Sequence, residues 1–110
     1  MAYDADLAAR VRELLAGERQ VAEKAMFGRR MFMLAGKLAV GVAGDELMVR
    51  VGVEARHDAL SQPQTRECDM GKRPMYDWVL IGADGVRTEA QLEAWVGRGV
   101  VFARQLAGAA

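Results

Sequence analysis

Two runs of alternating apolar residues, one on each side of Gly44-Asp45, constrain the fold of this chain more than any other feature. Aliphatic residues occupy every second position of both runs, and small, polar or longer residues lie between them. The aliphatic residues are Leu38, Val40, Val42, Leu47, Val49 and Val51. A period of two, with Gly at the first turn position, predicts a β-hairpin closed by a two-residue type II′ turn. Pairing across this turn places all of these aliphatic side chains on one face, which we expect helices to cover.

A second hairpin is predicted around Ala35-Gly36, although Ala is a poor residue for a turn that needs positive φ. A two-residue turn there places Met31 and Met33 on the covered face. The residues that this register places on the opposite, open face are Arg30, Phe32, Ala39, Gly41, Ala43, Met48 and Arg50. A shift of one residue would exchange the two faces of a strand.

Helical spacing flanks the predicted hairpins. Asp4 can cap a first helix, and Gly17 fits its end. The apolar face of this helix consists of Leu7, Val11, Leu14 and Leu15. Thr88 and Gln91 form a capping-box pattern at the start of a last helix. Its apolar face consists of Leu92, Trp95, Val96, Gly99, Ala103 and Leu106.

Shorter elements are predicted between the hairpins and the last helix. Residues 53–60 indicate a short helix, residues 67–70 a short strand and residues 78–81 an apolar strand. The predicted order is α, three or four strands, α, one or two strands, α. Because hairpins and not crossover helices join the strands, we expect a single α+β domain over residues 1–110, with an antiparallel sheet.

The net charge and the length of the apolar runs indicate whether nucleic acids or membranes are expected partners. Fifteen basic and fifteen acidic residues cancel, so direct nucleic-acid binding is not expected from net charge. The first residues lack the basic and apolar regions of a signal peptide, and no apolar run approaches the roughly 18 residues of a membrane span. We therefore expect a cytoplasmic protein that does not associate with membranes.

Residues that could carry catalysis are few. His57 is the only histidine and Cys68 the only cysteine, and nothing in their spacing requires them to meet. One His and one Cys do not make a metal site without further ligands. Gly97-Arg98-Gly99 lies within the last predicted helix, so it is not a phosphate-binding loop and indicates close helix packing instead. We expect no catalytic residues, no cofactor and no metal.

The predicted open face is the candidate working surface. Phe32 and Met48 stand there beside small residues, and Arg30 and Arg50 flank them. A shallow apolar trough with cationic edges suits a partner protein or a second copy of the chain, with Met as an adaptable contact. An acidic ligand is an alternative occupant.

Several short motifs, taken in order, resemble the N-terminal domain of the TfoX/Sxy family. They include Lys-x-Met-Phe-Gly and Arg-Pro-Met-x-x-Trp, and the resemblance runs from about Ala2 to Leu106. The motif residues are Lys24, Met26, Phe27, Gly28, Arg73, Pro74 and Trp78. The resemblance implies a fold like that of type III secretion chaperones, with helices on one side of a curved antiparallel sheet.

The same resemblance suggests a function. The namesakes of the family are bacterial regulators of natural competence, which act with a cyclic-AMP-responsive transcription factor, and no enzymatic activity is ascribed to this domain. The chain matches a single-domain member without the second domain of the full regulators. The leading hypothesis is a non-enzymatic protein-interaction module linked to transcriptional regulation. The alternative is a small-ligand-binding protein or minor enzyme that uses the Arg-lined sheet face.

Overall fold

In the described part of the chain, six strands and three α-helices follow one another in the order α, four strands, α, two strands, α. The computed structural model describes residues 3–70, with the backbone alone at Met70, and residues 73–108. The elements are α1 (Ala5–Leu14), β1 (Val21–Met26), β2 (Arg29–Leu34), β3 (Lys37–Ala43), β4 (Glu46–Arg50), α2 (Arg56–Leu60), β5 (Thr65–Met70), β6 (Arg73–Ile81) and α3 (Glu89–Gly108). A short 3₁₀ turn, Ala83–Gly85, precedes α3. The predicted α+β fold is confirmed, although α2 is shorter than the helix predicted over residues 53–60.

The strands form one antiparallel sheet in the order β1-β2-β3-β4-β6-β5, so β1 and β5 are its edges. Two-residue turns join the first four strands, and each contains a Gly at positive φ. Gly44 has φ 59° at the predicted type II′ position. Ala35 and Gly36 have φ 52° and 80°, so this turn forms even though Ala rarely adopts such angles. Both predicted turns are therefore present.

Two helices begin at the predicted capping residues, whereas α1 ends at Leu14 and not at the predicted Gly17. The Asp4 carboxylate accepts hydrogen bonds from the backbone N–H groups of Asp6 and Leu7, at 2.9 Å and 3.1 Å. Thr88 and Gln91 form the reciprocal capping box, with distances of 2.9 Å and 3.1 Å. Helices α1 and α3 pack on the same face of the sheet, since their buried residues belong to one core cluster. No helix among the described residues is long and apolar enough to cross a membrane.

The main core lies between this helical layer and the sheet. The predicted aliphatic residues Val40, Val42, Leu47 and Val49 are fully buried in it, together with residues from α1, β6 and α3. Helix α3 approaches β3 closely at Gly99, where an added Cβ would lie 2.6 Å from the Ala39 carbonyl oxygen. Gly99 is thus the contact point between helix and sheet, which agrees with the close packing that the sequence indicated.

A bulge in β3 shifts the register that the sequence predicts for the second hairpin. Leu34 pairs with Lys37 and Met33 with Leu38, but the next residue, Phe32, pairs with Val40. The extra residue on β3 is Ala39, which two-against-one pairing turns towards the helices. The side chains on β2 therefore point to the faces opposite to those predicted.

Candidate interaction surface

The structure corrects half of the predicted open-face surface. Phe32 is fully buried in the core beneath the helices, and Ala39 lies in the same core. Arg30 is also on the helical side, where its Nε donates a hydrogen bond of 2.6 Å to Glu23. The cause is the bulge, since one extra residue in β3 exchanges the faces of its partner strand. The predicted placement of these three side chains was wrong.

Gly41, Met48 and Arg50 do lie on the second face of the sheet, away from the helices, but this face is not an exposed trough. Met48 has no exposed surface. It belongs to a second cluster of buried residues, consisting of Met31, Met48, Cys68 and Trp78. The half-buried side chains that pack against this cluster are Met26, Leu38, Ala43, Met75 and Leu80. The predictions that Met31 and Leu38 join the main core were therefore wrong, because both belong to this second cluster.

Gly41 explains how the second face covers itself. A Cβ on Gly41 would lie 2.8 Å from the Met31 methyl group, so the Met31 side chain occupies the space above the glycine. Met is long and flexible enough to cross a neighbouring strand and fill such a gap. The space above Gly41 is therefore filled by a side chain of the same protein and not by a partner.

Ion pairs close the rim of the second face. The Arg50 Nε lies 2.8 Å from an Asp77 carboxylate oxygen, and its guanidinium lies 6.0 Å from the centre of the Trp78 ring. Arg66 forms a double ion pair with Glu46, with one of its two contacts at 2.6 Å. Glu46 is therefore already paired within the chain.

Arg29 also stands on the second face, beside Cys68. Its Nη1 atom is buried and has no hydrogen-bond partner among the described residues. Burial raises the pKa of the Cys68 thiol, and the nearby positive charge of Arg29 only partly offsets this effect. A buried thiol with a raised pKa stays neutral and unreactive near neutral pH, which suits a packing role for Cys68.

The family-motif residues fall into two groups. Met26 and Trp78 contribute apolar side chains to the second cluster, and Trp78 is only 4% exposed. The motif residues that face solvent are Lys24, Phe27, Gly28, Arg73 and Pro74. The buried members stabilise the second face, so only the exposed members remain available to a partner.

Phe27 is the most exposed large apolar residue of the described chain, with 77% of its surface accessible. It occupies the first position of the β1–β2 turn with φ 54°, followed by Gly28 with φ 76°. Both angles fit a type I′ turn, in which Asn or Asp is preferred at the first position. A bulky aromatic residue in this conformation is strained, and strain of this kind is found at binding sites more often than elsewhere. The sequence signal for this turn was the Phe-Gly pair between two strands.

A smaller apolar patch lies at the opposite end of the sheet. Val53 and Tyr76 are both more than half exposed, and the Arg56 guanidinium lies 5.3 Å from the centre of the Tyr76 ring. Arg73 and Pro74 line the same shallow depression. Aromatic and arginine side chains are enriched in protein interfaces, so this patch is a second candidate contact.

The two residues considered for catalysis, His57 and Cys68, differ in their exposure to solvent. His57 is exposed on α2, whereas Cys68 is 3% exposed within the second cluster. Over residues 3–70 and 73–108, no group of three or more His, Cys, Asp or Glu residues is arranged to hold a metal ion.

Comparison with known families gives one result that covers most of the chain. Residues 13–103 match the model of the TfoX N-terminal domain. Curated proteins and solved structures give no match. The matched range extends from α1 to α3 and includes every strand of the sheet. The chain therefore belongs to the TfoX N-terminal domain family.

Proposed function

We propose that this protein is a non-enzymatic interaction module that binds a partner protein involved in transcriptional regulation. The observation that carries the proposal is the match to the TfoX N-terminal domain over residues 13–103. In this proposal the domain works as a single folded unit in the cytoplasm, and its partner is a transcription factor or a protein that controls one.

The distribution of exposed apolar side chains supports a binding role. Both faces of the sheet are filled by side chains of the chain itself, yet Phe27, Val53 and Tyr76 remain exposed at its ends. Interface hot spots are enriched in Trp, Tyr and Arg, and Phe is enriched in interfaces as a whole. A partner that covers them would remove apolar surface from water.

The burial of the second face weakens the argument for a homodimer that uses this face. The sequence suggested that a second copy would cover the open face, but Met31, Met48 and Trp78 are already buried within one chain. A ligand or second copy on this face would have to displace Met31 from above Gly41. The ends of the sheet are therefore better candidates than its second face.

The experiment is capture of partners from the native host with the tagged full chain, followed by transcript profiling of a strain that lacks the gene. The tag expressed alone serves as the control for non-specific capture. We expect a regulatory protein to be enriched over this control and a defined set of transcripts to change in the deletion strain. No enrichment together with an unchanged transcript profile would contradict the proposal.

A further inference from the structure

Strand β1 is the less protected of the two sheet edges. It pairs only with β2, and four of its six residues are exposed. The other edge, β5, presents Arg66, Glu67 and Asp69 and has a register irregularity between residues 67 and 69. Charged side chains and bulges are the usual means by which sheet edges avoid pairing with other chains. Strand β1 has an uninterrupted register with β2, and its exposed residues include Ala22 and Ala25.

The turn that ends β1 adds an apolar anchor to this edge. Phe27 is 77% exposed and belongs to neither buried cluster, so it stabilises the fold little through packing. Its φ of 54° is unfavourable for a bulky residue. A position that costs the fold conformational energy and leaves an aromatic ring in water is a candidate for contact with another molecule.

The charges around this hairpin are predominantly positive. Arg12 and Arg30 share a single carboxylate, that of Glu23, with contacts of 2.6 Å. Lys24 is exposed, and within the described part of the chain neither Lys24 nor Arg29 forms an ion pair. The buried Nη1 atom of Arg29 also has no hydrogen-bond partner there. Since the whole chain has no net charge, this excess is local and favours an acidic partner.

We propose that β1 and the Phe27 turn form a docking site for an extended acidic segment of a partner protein. The segment adds to the sheet as a strand beside β1, through backbone hydrogen bonds to its free edge. An apolar side chain of the segment packs on Phe27, and a carboxylate of the segment faces the exposed Lys24. This inference rests on the proposed function and names the surface and the partner chemistry through which that function operates. A duplex nucleic acid is a poorer fit, because the cationic surface is confined to the surroundings of one hairpin and Asp45 lies in the next turn at the same end of the sheet.

The test uses a short fluorescein-labelled peptide in which Asp and Glu alternate with Leu and Phe, and the same peptide with Lys in place of the acids. Two variants change the proposed site: Phe27→Asn removes the ring, and Lys24→Glu reverses a charge. Val101→Asn is the matched control, because Val101 is an exposed apolar residue of α3, outside the hairpin. Asn tolerates the positive φ of residue 27, so Phe27→Asn should raise the midpoint of thermal unfolding and cannot weaken binding by unfolding the protein.

We expect the acidic peptide to bind the wild type and Val101→Asn with affinities within about twofold of each other. Each hairpin variant should weaken binding by about tenfold or more, a loss of the size found for interface anchors. Amide protons of β1 should become protected from exchange when the peptide binds. Equal binding to Phe27→Asn, preference for the lysine peptide, or protection located at the Val53–Tyr76 end of the sheet would overturn the proposal.

Two further measurements separate this proposal from its alternatives. Light scattering tests whether the occupant is a second copy. If the wild type dimerises, Phe27→Asn is monomeric and neither protein binds the acidic peptide, the occupant is a second copy and the proposal is wrong. If a native partner is captured equally by the wild type and Phe27→Asn, the interaction function stands and the hairpin site is wrong. Failure of the proposed function itself would be recognised differently, by the absence of any partner for both proteins.

Discussion

Two glycines of α3 should respond in opposite directions to the same substitution. Replacing Gly by Ala inside a helix removes a conformational penalty of about 1 kcal/mol. At Gly97 an added Cβ would meet no atom within 4 Å, so Gly97→Ala should stabilise the fold by about 0.5–1 kcal/mol. At Gly99 the same Cβ would lie 2.6 Å from the Ala39 carbonyl oxygen and 2.6 Å from a Val40 methyl carbon. The obstacle there includes strand backbone, which a side-chain rotation cannot relieve.

Overpacking of this kind costs about 1–3 kcal/mol, which exceeds the gain in helix propensity. We therefore expect Gly99→Ala to destabilise the fold by up to about 2 kcal/mol. Because both variants gain the same helix propensity, they should differ by the overpacking cost of about 1–3 kcal/mol. Urea unfolding followed by circular dichroism measures both free energies, and an unchanged m-value keeps the comparison valid. A Gly99→Ala variant as stable as Gly97→Ala would refute the close approach of α3 to β3.

Three further outcomes follow from single side chains. The hydrogen bond from Arg12, and less strongly that from Arg30, lowers the pKa of Glu23 to about 2, against the opposing effect of partial burial. Because the pKa of Glu23 is depressed in the folded protein, the stabilisation is present above pH 4.5 and is lost as the pH falls from there to about 2. The free energy of unfolding of Glu23→Gln, measured over this pH range, should lack about 1–2 kcal/mol of the decrease that the wild type shows. Phe27→Asn should increase the free energy of unfolding by about 0.5–1 kcal/mol because Asn accepts positive φ, and a decrease in urea unfolding would show that the ring packs on the fold. The Cys68 thiol should react with Ellman's reagent only as fast as the protein opens, and rapid labelling of the folded protein would contradict its burial.

Local sequence signals predicted the turns and the starts of two helices because each depends on one or two residues. Gly44 supplies the positive φ of its turn, and Asp4 and Thr88 accept backbone hydrogen bonds at their helices. The aliphatic alternation across Gly44-Asp45 then fixed the pairing of β3 with β4, as Val40 opposite Val49 shows. These features need no information from distant parts of the chain, and all of them are confirmed.

The register between β2 and β3 could not be predicted in the same way. The turn at Ala35-Gly36 gave the correct first pairs, but the bulge at Ala39 reversed the pattern after Met33. Nothing local marks Ala39 as the extra residue. The structure shows a tertiary contact at this residue, since Gly99 of α3 packs against the Ala39 carbonyl oxygen. The bulge that sets the face of Phe32 thus contacts a residue 60 positions away, which the local sequence does not reveal.

The candidate surface depended on tertiary packing even more strongly. A sequence can indicate that Met48 points away from the helices, but it does not indicate that Met31 crosses Gly41 to help cover that face. Phe27 was recognised as part of a motif, whereas its exposure and its positive φ became evident only in the structure. The strained turn and the free edge of β1 are properties of the assembled sheet, which explains why they were not among the predicted surface residues.

The double substitution Phe32→Asp with Met48→Asp separates the two descriptions of the sheet. The sequence-based surface predicts a folded protein that loses its partner. The structure instead gives both side chains no exposed surface, with Phe32 in the main core and Met48 in the second cluster. An unpaired carboxylate at either position costs several kcal/mol, in addition to about 2–5 kcal/mol for the lost apolar packing at each position. Their sum exceeds the roughly 5–15 kcal/mol that stabilises a typical domain, or consumes most of it. We therefore expect the double variant to lose its cooperative unfolding transition in circular dichroism. A folded, monomeric double variant would mean that Phe32 and Met48 face solvent and that the bulge at Ala39 does not form.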